Sequence, residues 1–106
     1  MTWLFCYDIE NDSIRQKLAR YLEKSGWERL QKSVFANSME IKEFNRYFKK
    51  IKDRFGAKLE TTDKIYTWPV NDNQFANAAI IGQSYDAKWI QNGYVIMYVG
   101  EENLLK

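Results

Sequence analysis

Asp8 is the residue whose type and position could most directly do chemistry. It closes an apolar run that starts at Thr2, and Glu10 and Asp12 follow on alternate positions. A carboxylate at a strand end is a hard oxygen donor, suited to magnesium or manganese. The chain has no histidine and one cysteine, Cys6, so it lacks the commonest general base and the commonest transition-metal ligand. Any catalytic metal would therefore be held by oxygen. Asp8, Glu10 and Asp12 open like a calcium loop, but that loop needs Gly at its sixth position and Glu at its twelfth, where Ser13 and Ala19 stand. The plainer reading of Asp8 is an acid that ends a strand and accepts hydrogen bonds in the next turn. Spacing alone leaves both readings open.

Two groups of cations could bind an anion. Arg15, Lys17 and Arg20 fall on one segment, with Arg29 and Lys32 on the next; Lys42, Arg46, Lys49, Lys50, Lys52 and Arg54 crowd a third. Net charge is only +2, from 16 basic and 14 acidic residues, so placement rather than bulk charge carries the inference. Arginine can grip a phosphate through two donors, whereas lysine acts as a point charge. Any single cation is more simply a solvated helix face. As groups flanking aromatic segments, they point to a polyanion held through its phosphates without sequence reading. Tyr7, Phe35 and Trp68 could stack bases, although aromatics in strands equally serve a core or an interface.

These residues need a frame to position them. Residues 2 to 9 are apolar on both alternating sets, the pattern of a central strand covered on both faces. Ile14, Leu18, Tyr21 and Leu22 recur at helical spacing, with Asn11 or Asp12 as N-cap and Gly26 as the stop, which predicts a helix over 12 to 25. Residues 27 to 36 read as two short strands with a bend near Gln31 to Ser33. Asn37 and Glu40 resemble a capping box for a second helix, whose buried stripe would be Ile41, Phe44, Phe48, Ile51 and Phe55. A strand from about 64 to 68 follows, with Pro69 implying an edge. After it come a turn, a short helical piece and a short strand ending at Gly82, then a strand at about 94 to 99 after Asn92-Gly93.

The order strand, helix, strand, strand, helix, strand predicts an α+β, ferredoxin-like βαββαβ domain over 1 to 82 with an antiparallel sheet. Residues 83 to 106 form a C-terminal extension whose added strand is expected to pack on a dimer partner. Both helices should lie on one face. The other face, drawing on Leu4, Cys6, Val34 or Phe35, Tyr66 and Trp68, is expected to be covered by a second copy in a homodimer. Asp8 shares the alternating set of Leu4 and Cys6, so a twofold axis would pair two Asp8 carboxylates around a divalent cation. Aromatics are 16% of the chain, more ring surface than so small a core needs, which again predicts an interface. A lone cysteine and the absence of a basic, apolar leader point to a cytoplasmic protein with no membrane span.

The opening LFCYDIENDSIRQKLARYLEKSGWERLQKSVF, with IYTWPV, NQF and Ile81-Gly82 further on, resembles the small CRISPR-associated endoribonucleases, the Cas2 family. The resemblance implies a homodimer of ferredoxin-like subunits in which Asp8 of each chain binds magnesium. It also implies a metal-dependent phosphodiesterase acting on RNA, single-stranded included, or on double-stranded DNA. A second implied role is bridging the CRISPR integrase, the Cas1 protein, while holding duplex DNA during spacer acquisition, a role in which cleavage is dispensable. Arg15, Lys17, Arg29 and Phe35 match positions associated with nucleic acid or activity, Lys32 lies beside them, and Tyr7 adjoins the metal residue. The tail from 83 onward carries no matching motif.

Two other classes compete. A ferredoxin-like toxin ribonuclease of the VapD kind shares the plan. An RNA-recognition module would need paired aromatics beside a basic, Gly-rich strand, and SVFANSM does not supply them.

Overall fold

The computed structural model describes residues 1–81 and 96–98. Strand β1, Thr2–Asp8, alternates between buried Trp3, Phe5 and Tyr7 on one face and half-buried Leu4 and Cys6 with exposed Asp8 on the other. Helix α1, Asp12–Lys24, starts where Asn11 Oδ1 accepts from the Ile14 amide at 2.9 Å. That is the cap its sequence predicts. The chain leaves α1 through Gly26, whose φ of 94° lies in the left-handed region. A Cβ there would meet nothing closer than 3.9 Å, so the preference for glycine is conformational rather than steric.

Strands β2, Glu28–Gln31, and β3, Val34–Ser38, pair antiparallel, with a register shift between Arg29 and Gln31. The predicted bend is this turn. Helix α2, Ile41–Phe55, runs into a 3-10 turn at Gly56–Lys58. Its N-cap is Glu40, with no side-chain cap, because Asn37 is consumed by β3 and accepts from the Ser38 amide instead. The predicted capping box is therefore not formed. Ile41, expected in the buried stripe, is 58% exposed, since it opens the helix before the helix reaches the sheet. Phe44, Ile51 and Phe55 are buried and Phe48 half-buried.

Strand β4, Lys64–Val70, completes a four-stranded antiparallel sheet in the order β2-β3-β1-β4. This order, with both long helices on one face, is compatible with the ferredoxin-like plan. Pro69 sits on an edge strand, where a missing donor costs no internal ladder bond. The core beneath the helices joins Trp3, Phe5 and Tyr7 to Leu18 and Leu22 of α1, to Phe44 and Ile51 of α2, and to Trp27 and Phe35. Trp3 stacks on Phe44 at 3.9 Å, and its indole donates to the Met39 carbonyl at 3.0 Å. Truncating a ring so enclosed costs about 3–5 kcal/mol.

A short helix, α3, Asp72–Ala76, caps itself with Asn71 and crosses to the opposite face of the sheet. There Phe75 is buried against Ala36, with Leu4, Leu30 and Val70 around it, and the Thr2 hydroxyl donates to Asp72 at 2.8 Å. Strand β5, Ala79–Ile81, then pairs in parallel with β6, Ile96–Tyr98, of the same chain. The remainder of the predicted extension lies outside the described residues. None of the described helices is long and apolar enough to cross a membrane.

Candidate nucleic-acid interface at the end of β1

Because successive side chains of a strand point to opposite faces, Tyr7 and Asp8 leave β1 in opposite directions. Tyr7 is buried, and its hydroxyl donates to the Lys32 carbonyl at 3.0 Å. Burial raises its pKa, partly offset by the nearby Arg29 and Arg15 guanidinium charges. A buried, neutral phenol tied to the backbone supports the site from below. Tyr7 lines the cleft from its floor, and at 4% exposure its ring is not free to stack a base.

Asp8 is exposed and faces outward at the mouth of an open cleft of about 600 Å³. Arg15, Arg20, Arg29 and Lys32 also line this cleft, as does one further acid, Glu23. Arg15 is held by the loop that follows β1: its guanidinium donates to the Ile9 carbonyl at 2.9 Å and the Glu10 carbonyl at 3.2 Å, and pairs with Asp12. Arg29 is held more firmly. It donates from Nε at 3.2 Å and from a terminal nitrogen at 2.7 Å to the Lys32 carbonyl, pairs with Glu23 at 3.4 Å, and lies over the Phe35 ring at 5.3 Å. Glu23 thus reaches from α1 across to a strand. One carbonyl, that of Lys32, takes donors from both Tyr7 and Arg29 and joins the core to the cleft.

Phe35 is fully buried and packs against Tyr7 at 6.1 Å. It therefore cannot stack a base and instead forms the floor under Arg29. Its register partner is Phe5, which places it on the helix face and leaves Val34 opposite Cys6 on the other. Lys17 does not join the Asp8 cleft. A helical offset turns it toward a second cleft, with Arg20 at the boundary of both. Spacing could have flagged this, since Lys17 lies two residues from Arg15 and so on a different face of α1.

On the face away from α1 and α2, Tyr66 and Trp68 of β4 are 41% and 50% exposed, with rings 5.0 Å apart. They stand opposite Cys6 and Leu4 in register, and Lys64 stands opposite Asp8. As a metal ligand Asp8 has the right donor atoms, but among the described residues no three acids or cysteines gather closely enough to hold an ion. The Asp63 carboxylate, on the loop before β4, already accepts from the Glu10 amide at 3.2 Å and the Glu60 amide at 2.9 Å. Among the described residues Asp8 thus stands outside any such group, and a metal held there would need further ligands from elsewhere.

The structure is a small α+β domain with an exposed acid at the end of an inner strand, beside a cleft lined by Arg15, Arg20, Arg29 and Lys32. Residues 1–78 match the family described as CRISPR associated protein Cas2, and the chain belongs to that family. A crystal structure of a hypothetical protein, TT1823 from Thermus thermophilus, is similar in fold, with a TM-score of 0.59. It is 28% identical in sequence over 78% of this chain and 92% of that one.

Proposed function

We propose that this chain is a CRISPR adaptation protein that binds duplex DNA and bridges the integrase during spacer acquisition. The observation that carries the reading is the Asp8 cleft, in which Arg15 and Arg29 are fixed by backbone carbonyls rather than left as free surface charges. Pre-oriented guanidinium groups hold a phosphate with less loss of side-chain freedom than mobile lysines. Family membership supports the CRISPR role over that of a free-standing toxin ribonuclease.

The protein acts as a homodimer through the face away from α1 and α2, where exposed Tyr66 and Trp68 and half-buried Cys6 form an apolar surface beside Asp8. A twofold axis there brings two Asp8 carboxylates together and supplies the second ligand that one chain lacks. A magnesium ion shared by the pair would provide an activated water and a counter-charge for a phosphodiester. Within the chain, Arg15 and Arg29 orient the phosphate, and the buried phenol of Tyr7 fixes the carbonyl that orients Arg29. With one carboxylate per chain and no histidine, cleavage is the secondary activity and binding the primary one.

Duplex binding measured by fluorescence anisotropy, alongside cleavage with magnesium, tests both parts. Asp8→Ala should keep binding and lose cleavage. Arg15→Ala with Arg29→Ala should lose binding, and unimpaired binding by that double variant would refute the interface.

A further inference from the structure

A second cleft, about 330 Å³ in volume, lies between the later turns of α1, the last turn of α2 and the 3-10 turn that follows it. Lys17, Arg20, Lys24, Arg54 and Lys58 line it together with the rings of Tyr21 and Phe55, and among the described residues no carboxylate faces it. Among the described residues the ion pairs lie elsewhere, at Met1 with Asp72, Arg15 with Asp12, Arg29 with Glu23 and Lys49 with Asp53. Gathering five like charges is unfavourable unless an anion shares the space. Helix dipoles favour cations at Lys24 and Arg54, each in the last turn of its helix. They do not account for Lys17 and Arg20, which sit further back on α1.

The cleft is also ordered. The Arg54 guanidinium lies over the Tyr21 ring at 4.8 Å, and the Lys58 ammonium is 6.0 Å from the centre of the Phe55 ring. Tyr21 is itself fixed, edge-on to Phe55 at 5.8 Å and stacked on Tyr47 at 5.9 Å. A guanidinium stacked by its face keeps its edge N–H donors for an anion. The volume is near the lower limit for ligand sites, roughly 300 Å³, which suits a compact ligand with joined phosphates better than a long backbone.

We propose that this cleft binds a compact polyphosphate, either inorganic triphosphate or the phosphate chain of a nucleoside triphosphate. The site shares only Arg20 with the Asp8 cleft, and the proposal stands whether or not the chain binds duplex DNA.

Calorimetric titration of the full chain with inorganic triphosphate at low salt tests it. One saturable site is expected, and Arg54→Gln with Lys58→Gln should weaken it at least about tenfold, since each charge-assisted contact is worth roughly that factor. Lys24→Gln with Lys58→Gln, which leaves the Arg54 and Tyr21 stack intact, should also weaken it and guards against misfolding of the first variant. Arg29→Gln should leave it unchanged. ATP binding as tightly as triphosphate identifies the nucleotide as the source, and ATP binding tenfold more weakly identifies the inorganic ion. Absence of saturable binding would overturn the proposal, as would equal weakening by Arg29→Gln. So would an equal loss of duplex and triphosphate affinity in the Arg54 and Lys58 variant, which would make the cleft part of the nucleic-acid surface.

Discussion

The Tyr7 hydroxyl and the Arg29 guanidinium share one acceptor, the carbonyl oxygen of Lys32, at 3.0 Å and 2.7 Å. The residue that fills the core under the cleft and the residue proposed to face a phosphate are thus set by the same atom in the β2–β3 turn. Tyr7→Phe removes one donor and keeps the ring. It should cost about 1 kcal/mol of stability, the net value of a typical hydrogen bond, with a smaller loss in duplex affinity. Urea unfolding and anisotropy together check this, and an affinity loss as large as that of Arg29→Ala would mean the phenol contacts nucleic acid directly.

Arg29 and Arg15 should both weaken duplex binding when changed to alanine, each lowering the slope of log affinity against log salt by about 1. Their stability effects should differ. Arg29 covers the Phe35 ring and bonds the turn, so its loss should lower the urea midpoint. The partner of Arg15 in its ion pair is exposed Asp12, and pairs of that kind contribute about 0–1 kcal/mol.

Phe35→Leu separates the floor of the cleft from a base-stacking surface. It should lower stability by about 1–2 kcal/mol, as imperfect repacking of a filled core does, while leaving duplex affinity within about threefold. A larger affinity loss at unchanged stability would contradict its placement in the core.

Tyr47 supplies a pH prediction. Burial pushes its pKa up to about 12, and by geometry its buried hydroxyl has no hydrogen-bond partner among the described residues. The unfolded chain ionises this phenol near the ordinary value while the folded chain still holds the proton. Stability is therefore retained below about pH 10 and lost as pH rises from there toward about 12. Tyr47→Phe should flatten that alkaline limb of the urea midpoint and cost little at pH 7, since it removes an unpaired polar atom.

Trp68→Glu should convert a dimer to a monomer in sedimentation experiments, because the ring is half exposed beside Tyr66 and a charge there opposes burial. A wild-type chain that already sediments as a monomer would remove the proposed dimer altogether.

Much of this frame was legible in the residues. Periodicity places β1 and both long helices, and Asn11 and Gly26 mark the ends of α1 because caps and left-handed turns depend on local chemistry. The failures share a physical cause. Asn37 with Glu40 fits a capping box, but β3 takes Asn37 as a ladder residue, and tertiary pairing outranks a local cap. Phe35 carried an ambiguous reading because alternation does not reveal which face a strand turns to the core, and only its register with Phe5 decides it. The second cleft was not visible from spacing, since Lys17 and Lys24 meet Arg54 and Lys58 only once α1 and α2 pack together.

The seat of Phe75 against Leu4 and Val70 gives the outer surface of the sheet a crowded end and an open end. The open end finishes in Asp8. In the proposed dimer, a partner lowered onto Tyr66 and Trp68 would be kept off the Thr2 end and would tilt toward the strand terminus where the acid stands. The five-residue helix α3 would then act as a spacer that sets where contact can occur. Lengthening or deleting it should change the angle of approach without touching a single residue of the cleft.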